Sequence, residues 1–151
     1  MSPARLPASI GALRQLYSTL AEPESAHLPG RWRASFVGPG WLRASAPTAI
    51  ALGGMPGWWG KQLAAGGQGF NLRRRGAELS PTLALVYGQA PSLVDGRACL
   101  AVRYPPGSPF PWTLVVDELR QLERGCLLGL TIVNRGLLKR LAFPFLLEHD
   151  G

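Results

Sequence analysis

Arg103 and Asp117 most invite chemistry, because each interrupts an otherwise apolar run. A charge inside a folded interior costs several kcal/mol unless it is paired or serves a ligand. If both point inward, Arg103 can hold a carboxylate or phosphate through two parallel hydrogen bonds. Asp117 can then orient that group or act as a base. If both face solvent, neither role arises. A second cluster, Trp58, Trp59 and Lys61, is bracketed by Gly57 and Gly60. It reads either as a loop that covers a pocket and offers an ammonium to an anionic ligand, or as a tryptophan plug. Arg73, Arg74 and Arg75 form a basic run. Such a run is a solvated hairpin tip or a contact for anionic lipid or phosphate.

Other chemistries lack their residues. His27 and His149 are the two histidines, and neither falls in mid-strand, so an axial haem ligand is not expected. There is no Gly-x-Ser-x-Gly, no phosphate-binding Walker loop, no dinucleotide fingerprint and no metal-ligand spacing. Cys99 and Cys126 sit in apolar runs without Cys-x-x-Cys spacing, which describes reduced, buried, small hydrophobic residues. No cofactor and no metal is expected, and the sequence gives no catalytic set beyond Asp117 and Arg103.

These residues need elements to position them. A chain of 151 residues, 46% hydrophobic, can bury one core. Its 19 glycines and 14 prolines are spread along the chain, which implies many short elements. Residues 1–27 read as an N-terminal helix with its linker, and residues 28–151 as a β-domain. Leu6, Ile10, Leu13, Tyr17 and Leu20 fall at steps of four and three, one face of a helix. Ser9 is its N-cap and Pro23 lies beyond its end. That face packs on the domain or, alternatively, lies on a membrane surface.

From Gly30 the period becomes two, with Trp32, Ala34 and Phe36 alternating with Arg31, Arg33 and Ser35. Residues 38–60 read as a long connection carrying Trp41, Met55, Trp58 and Trp59. Strands are expected at residues 70–74 and 82–87. Asp95-Gly96 reads as a two-residue hairpin turn, because the pair tolerates positive φ. The next strand turns Ala98, Leu100, Val102 and Tyr104 to one face and Arg97, Cys99, Ala101 and Arg103 to the other. Further strands are expected at residues 112–121, 126–133 and 141–148, with Pro144 at an edge or bulge. Roughly eight strands joined mostly by short turns make a mainly β, antiparallel meander that closes into a barrel. Its inner wall mixes rings (Trp32, Phe36, Tyr87, Tyr104, Trp112) with small residues (Ala34, Ala84, Ala98, Gly129). Either all of these pack solid, or the small ones leave room for one small molecule.

Two motifs carry a resemblance. Leu28-Pro29-Gly30-Arg31-Trp32-Arg33-Ala34 resembles the Gly-x-Trp-x-Gly motif of the GXWXG family, with Ala34 at the last glycine. Gly57-Trp58-Trp59-Gly60-Lys61-Gln62-Leu63 is similar to that family's second motif. The C-terminal part resembles the DUF4334 domain, through Val102-Arg103-Tyr104, the stretch from Asp117 to Gly129, and Phe143-Pro144-Phe145-Leu146-Leu147. The family's acidic run is reduced here to Glu123 with basic neighbours. The resemblance implies a lipocalin-like barrel and supplies no catalytic residues.

The expected function is binding of a small hydrophobic or amphiphilic, lipid-like molecule, with or without an acidic head group. Trp32, Phe36, Trp59, Lys61, Tyr87, Arg103, Tyr104 and Trp112 would form its pocket. One alternative is an isomerase-like or cyclase-like enzyme using Asp117 and Arg103. Another is a peripheral membrane or partner-binding protein using its basic face. The net charge of +7 comes almost wholly from arginine. It reflects coding composition or favours anionic partners such as a membrane surface. No RNA-binding or helix-turn-helix signature is present, so no nucleic-acid partner is expected. Met1 to Ala8 contains no leader-like run, and no apolar run is long enough to span a membrane. The expected location is the cytoplasm, with membrane-peripheral placement allowed.

Overall fold

In the computed structural model each strand pairs antiparallel with the next in sequence, and the eighth returns to the first to close a barrel. Residues 5–150 are described. The first four, part of the stretch inspected for a leader, lie outside them. The chain runs α1 (Ile10–Thr19), β1 (Gly30–Phe36), α2 (Gly40–Leu52), β2 (Trp58–Leu63) and β3 (Gln68–Arg75). It continues through β4 (Glu78–Pro91), β5 (Ala98–Arg103), β6 (Val115–Glu123), β7 (Cys126–Val133) and β8 (Ala142–His149). Because strands alternate direction, α2 and the β3–β4, β5–β6 and β7–β8 connections all lie at one end of the barrel.

The N-terminal helix forms where its spacing placed it. Ser9 caps it by accepting the Ala12 N–H at 3.1 Å. Leu13 and Tyr17 are fully buried against Leu128, Leu130, Ile132 and Leu146 on the outer face of β7 and β8. This explains why β7 is apolar on both faces: Leu127 points into the barrel and its neighbours point under α1. A polar network pins the helix down. Tyr17 donates to Glu118 at 2.9 Å, and Glu118 also accepts from Ser92. Arg120, fully buried, forks onto Asp95 at 2.7 and 2.8 Å.

Several expectations need correction. Residues 38–60 are not an open connection, because α2 occupies Gly40–Leu52 and β2 begins at Trp58, with a short turn between them. Asp95-Gly96 is not a two-residue hairpin. The last pair is Pro91 with Ala98, so the connection is six residues long, closed by Ser92 N–H to Arg97 C=O at 2.8 Å. Ser92 bonds Glu118 and Asp95 bonds Arg120, so the wider loop is tied to β6. Trp112 precedes β6 in a short 3-10 turn. Ala84 and Ala98 are exposed rather than inward. Pro144 pairs with Leu130 on β7, while pairing with β1 stops one residue on, at Phe145. The missing N–H of proline therefore costs no ladder bond with β1.

Candidate functional site

Trp58 and Lys61 are three residues apart, so in a regular strand they would face opposite ways. A bulge between Trp58 and Gly60 resets the phase. Trp58 and Lys61 therefore both reach the cavity wall, and half-buried Trp59 does not. Gly60 is obligatory: a Cβ there would lie 1.9 Å from the Trp32 carbonyl oxygen on β1. Trp32 and Lys61 are direct cross-strand partners. The two motif segments are thus one joint, a close contact between β1 and β2.

Lys61 is fully buried and spends its three N–H donors inside the barrel. They reach Asn71 Oδ1 at 2.8 Å, the Tyr104 hydroxyl at 2.9 Å and Asp117 Oδ2 at 3.0 Å. Lys61 and Asp117 stand on β2 and β6, four strands apart in a ring of eight, so the ion pair spans the lumen. The long lysine side chain makes that reach possible. Tyr104 donates to Asp117 Oδ2 at 2.8 Å, and Thr131 donates to Oδ1 at 2.8 Å. Asn71 also accepts from Trp58 Nε1 at 3.1 Å and donates to the Leu83 carbonyl. Burial, then the Asp117 charge, holds the Tyr104 phenol well above its ordinary range. It stays protonated and donating. The ammonium also lies 5.5 and 5.4 Å from the Trp58 and Tyr104 ring centres. Among the described residues no buried side-chain polar atom lacks a partner.

Above this polar floor is a cavity of about 350 Å³. α2 forms its roof, turning Leu42, Ala46, Ala49 and Ile50 towards it, and Phe36, Trp112 and Phe145 form apolar walls. The Phe145 ring lies over Gly129, where a Cβ would come within 2.4 Å of ring carbons. Gly129 thus gives Phe145 its place. The opposite end is filled. Trp32 is 1% exposed, donates to the Leu28 carbonyl at 2.8 Å and meets His149 edge-on at 4.8 Å.

Of the residues named from sequence, the structure brings Phe36, Lys61, Tyr104, Trp112 and Asp117 to one cavity. Trp32 is filler below it. Tyr87 packs on the core, and its hydroxyl donates to Ala64 at the filled end. Arg103 is exposed, because alternation puts Val102 and Tyr104 inside. The pairing of Arg103 with Asp117 does not form, and Lys61 is the cation that Asp117 holds. Of the Trp58, Trp59 and Lys61 cluster, Trp58 and Lys61 line the cavity and Trp59 does not; sequence reasoning missed Asn71, Thr131 and the inner face of α2. Thr131, a lone hydroxyl in an apolar strand, was the one readable signal.

The fold and the site define a closed antiparallel barrel with a helical roof over a polar-floored cavity. No family model matches the chain, and no curated protein matches it. A solved crystal structure of a protein from Thermomonospora curvata is similar, with a TM-score of 0.70 at 17% identity. The match covers 95% of this chain and 88% of that one. At that identity the likeness shows the fold alone, a mainly β barrel of matching size.

Proposed function

We propose that the barrel binds one small hydrophobic or amphiphilic molecule in the cavity beneath α2. The observation that carries this reading is a fully bonded Lys61–Asp117–Tyr104 floor beneath an apolar chamber of about 350 Å³. That volume lies at the lower end for pockets holding drug-sized ligands, and the mix of apolar walls with few polar groups is typical of them. The charge of Lys61 is cancelled by Asp117, and its donors are all engaged. A ligand ending in a neutral hydroxyl or carbonyl suits this floor better than the acidic head group expected from sequence. Native mass spectrometry of freshly purified protein tests the reading. The expected result is a co-purified small molecule that is absent from Ala46→Phe, where the roof fills the chamber. Wild-type protein that stays bare after incubation with long-chain alcohols and acids alike speaks against it.

A second reading has one observation in its favour: Tyr104 and Asp117, an acid and a base 2.8 Å apart, both line the cavity. They could move a proton on a bound carbonyl compound. The test is solvent deuterium entering cyclohexenone in the presence of the protein. Incorporation that Asp117→Asn abolishes supports proton transfer, and incorporation no faster than in buffer removes it.

A further inference from the structure

The charged residues are sorted between the barrel's ends. At the filled end cations meet acids: Arg31 with Asp150 at 3.9 Å, Arg33 with Glu148 at 3.7 Å, and Arg97 with Asp95 at 3.9 Å. The α2 end is different. The β3–β4 tip carries Arg73, Arg74 and Arg75, with Glu78 the one acid beside them. The β7–β8 connection adds Arg135, Lys139 and Arg140, and α2 adds Arg43. Among the described residues no ion pair engages these cations.

The same end carries the most exposed of the large apolar side chains among the described residues. Leu52 is 86% exposed, Phe110 78%, Leu137 75% and Trp41 62%, and Leu138 and Leu141 stand beside them in sequence. They come from α2, the β5–β6 connection and the β7–β8 connection, three segments that sequence separates and the barrel gathers. Exposed apolar tips ringed by unpaired cations match the two layers of a bilayer surface: acyl boundary and anionic head groups. We propose that the α2 end docks on an anionic phospholipid membrane. Trp41 both lines the cavity and faces outward, so the docked face is also the face nearest the cavity mouth. The inference rests on this exposed face and not on the ligand reading.

Co-sedimentation of the full chain with vesicles tests it. One set is phosphatidylcholine alone, and the other contains one part phosphatidylglycerol to three of phosphatidylcholine. The chain is expected to partition onto the anionic set and to be released by high salt. Replacing Arg135, Lys139 and Arg140 together by Ala should weaken partitioning about a hundredfold. Phe110→Ser with Leu137→Ser should weaken it as well, while Arg31→Ala with Arg124→Ala, at the filled end, leaves it within a few fold. Ala46→Phe should keep vesicle binding even where it loses the cavity ligand, which separates the two proposals. Equal binding to both vesicle sets, or equal loss from changes at either end, overturns the docking surface. So does self-association that Phe110→Ser with Leu137→Ser abolishes, since a second copy would then be what covers the face.

Discussion

Lys61 and Asp117 stabilise the fold only as a pair. Lys61→Met leaves a buried carboxylate facing apolar walls and should cost about 3–5 kcal/mol in urea unfolding. Adding Asp117→Leu should recover most of that loss, since a buried pair is worth little against apolar residues of similar size. A Lys61→Met protein as stable as wild type contradicts the geometry. Burial pushes the Cys99 and Cys126 thiols up to about 11. Folded protein at pH 8 should therefore not react with dithiobis(nitrobenzoate), and unfolded protein should release two equivalents. Asp95 moves the other way: its hydrogen bonds from Arg120 lower it from 3.8 to about 2. A depressed acid contributes stability above its unfolded pKa and loses it as pH falls through the folded one. Asp95→Asn should flatten the loss of stability between about pH 4 and pH 2, read as urea midpoints. At this scale the sequence revealed much of the site, since Lys61, Tyr104, Trp112 and Asp117 all stood out as polar or aromatic breaks in pattern. It could not show that Lys61 crosses the lumen to Asp117, because strand count around the ring is a property of closure. Arg103 misled for the same reason: a charge in an apolar strand has the same signature on either face.

The elements differ in how plainly their residues announce them. α1 was legible because a cap, a stop and an unbroken apolar stripe agree. β7 was legible in extent, but its apolar length has two causes, the lumen and α1, which no single period separates. α2 was missed because Pro39, Pro47 and Gly53 punctuate it like a loop. Pro47 sits inside the helix, removes one intrahelical bond and is exposed. Pro47→Ala should stabilise the protein by about 1–3 kcal/mol in urea unfolding. It should also stiffen the roof and slow exchange of a bound probe in stopped-flow, whereas unchanged stability would show that the missing hydrogen bond at Pro47 costs the helix nothing. The bulge in β2 was equally hidden. Trp58 and Trp59 are the same residue type, and only the bulge decides which of them faces the cavity.

As a whole molecule the barrel is unequal end to end. One end is filled by Trp32 and its neighbours, while the other keeps a chamber under α2. Closure followed from the number of strands and their short connections. The inequality did not, because it depends on the bulge, on Gly129 making room for Phe145, and on a helix that sequence read as a loop. Among the described residues no helix is long and apolar enough to cross a membrane. The chamber is the centre of the account, and titration with the neutral fluorophore N-phenyl-1-naphthylamine tests it most directly. Saturable one-to-one binding that falls at least tenfold in Ala46→Phe, with the melting temperature unchanged and with Ala84→Phe on the outer wall binding normally, is the predicted result. Binding that is not saturable, or that survives the filled chamber intact, would contradict it.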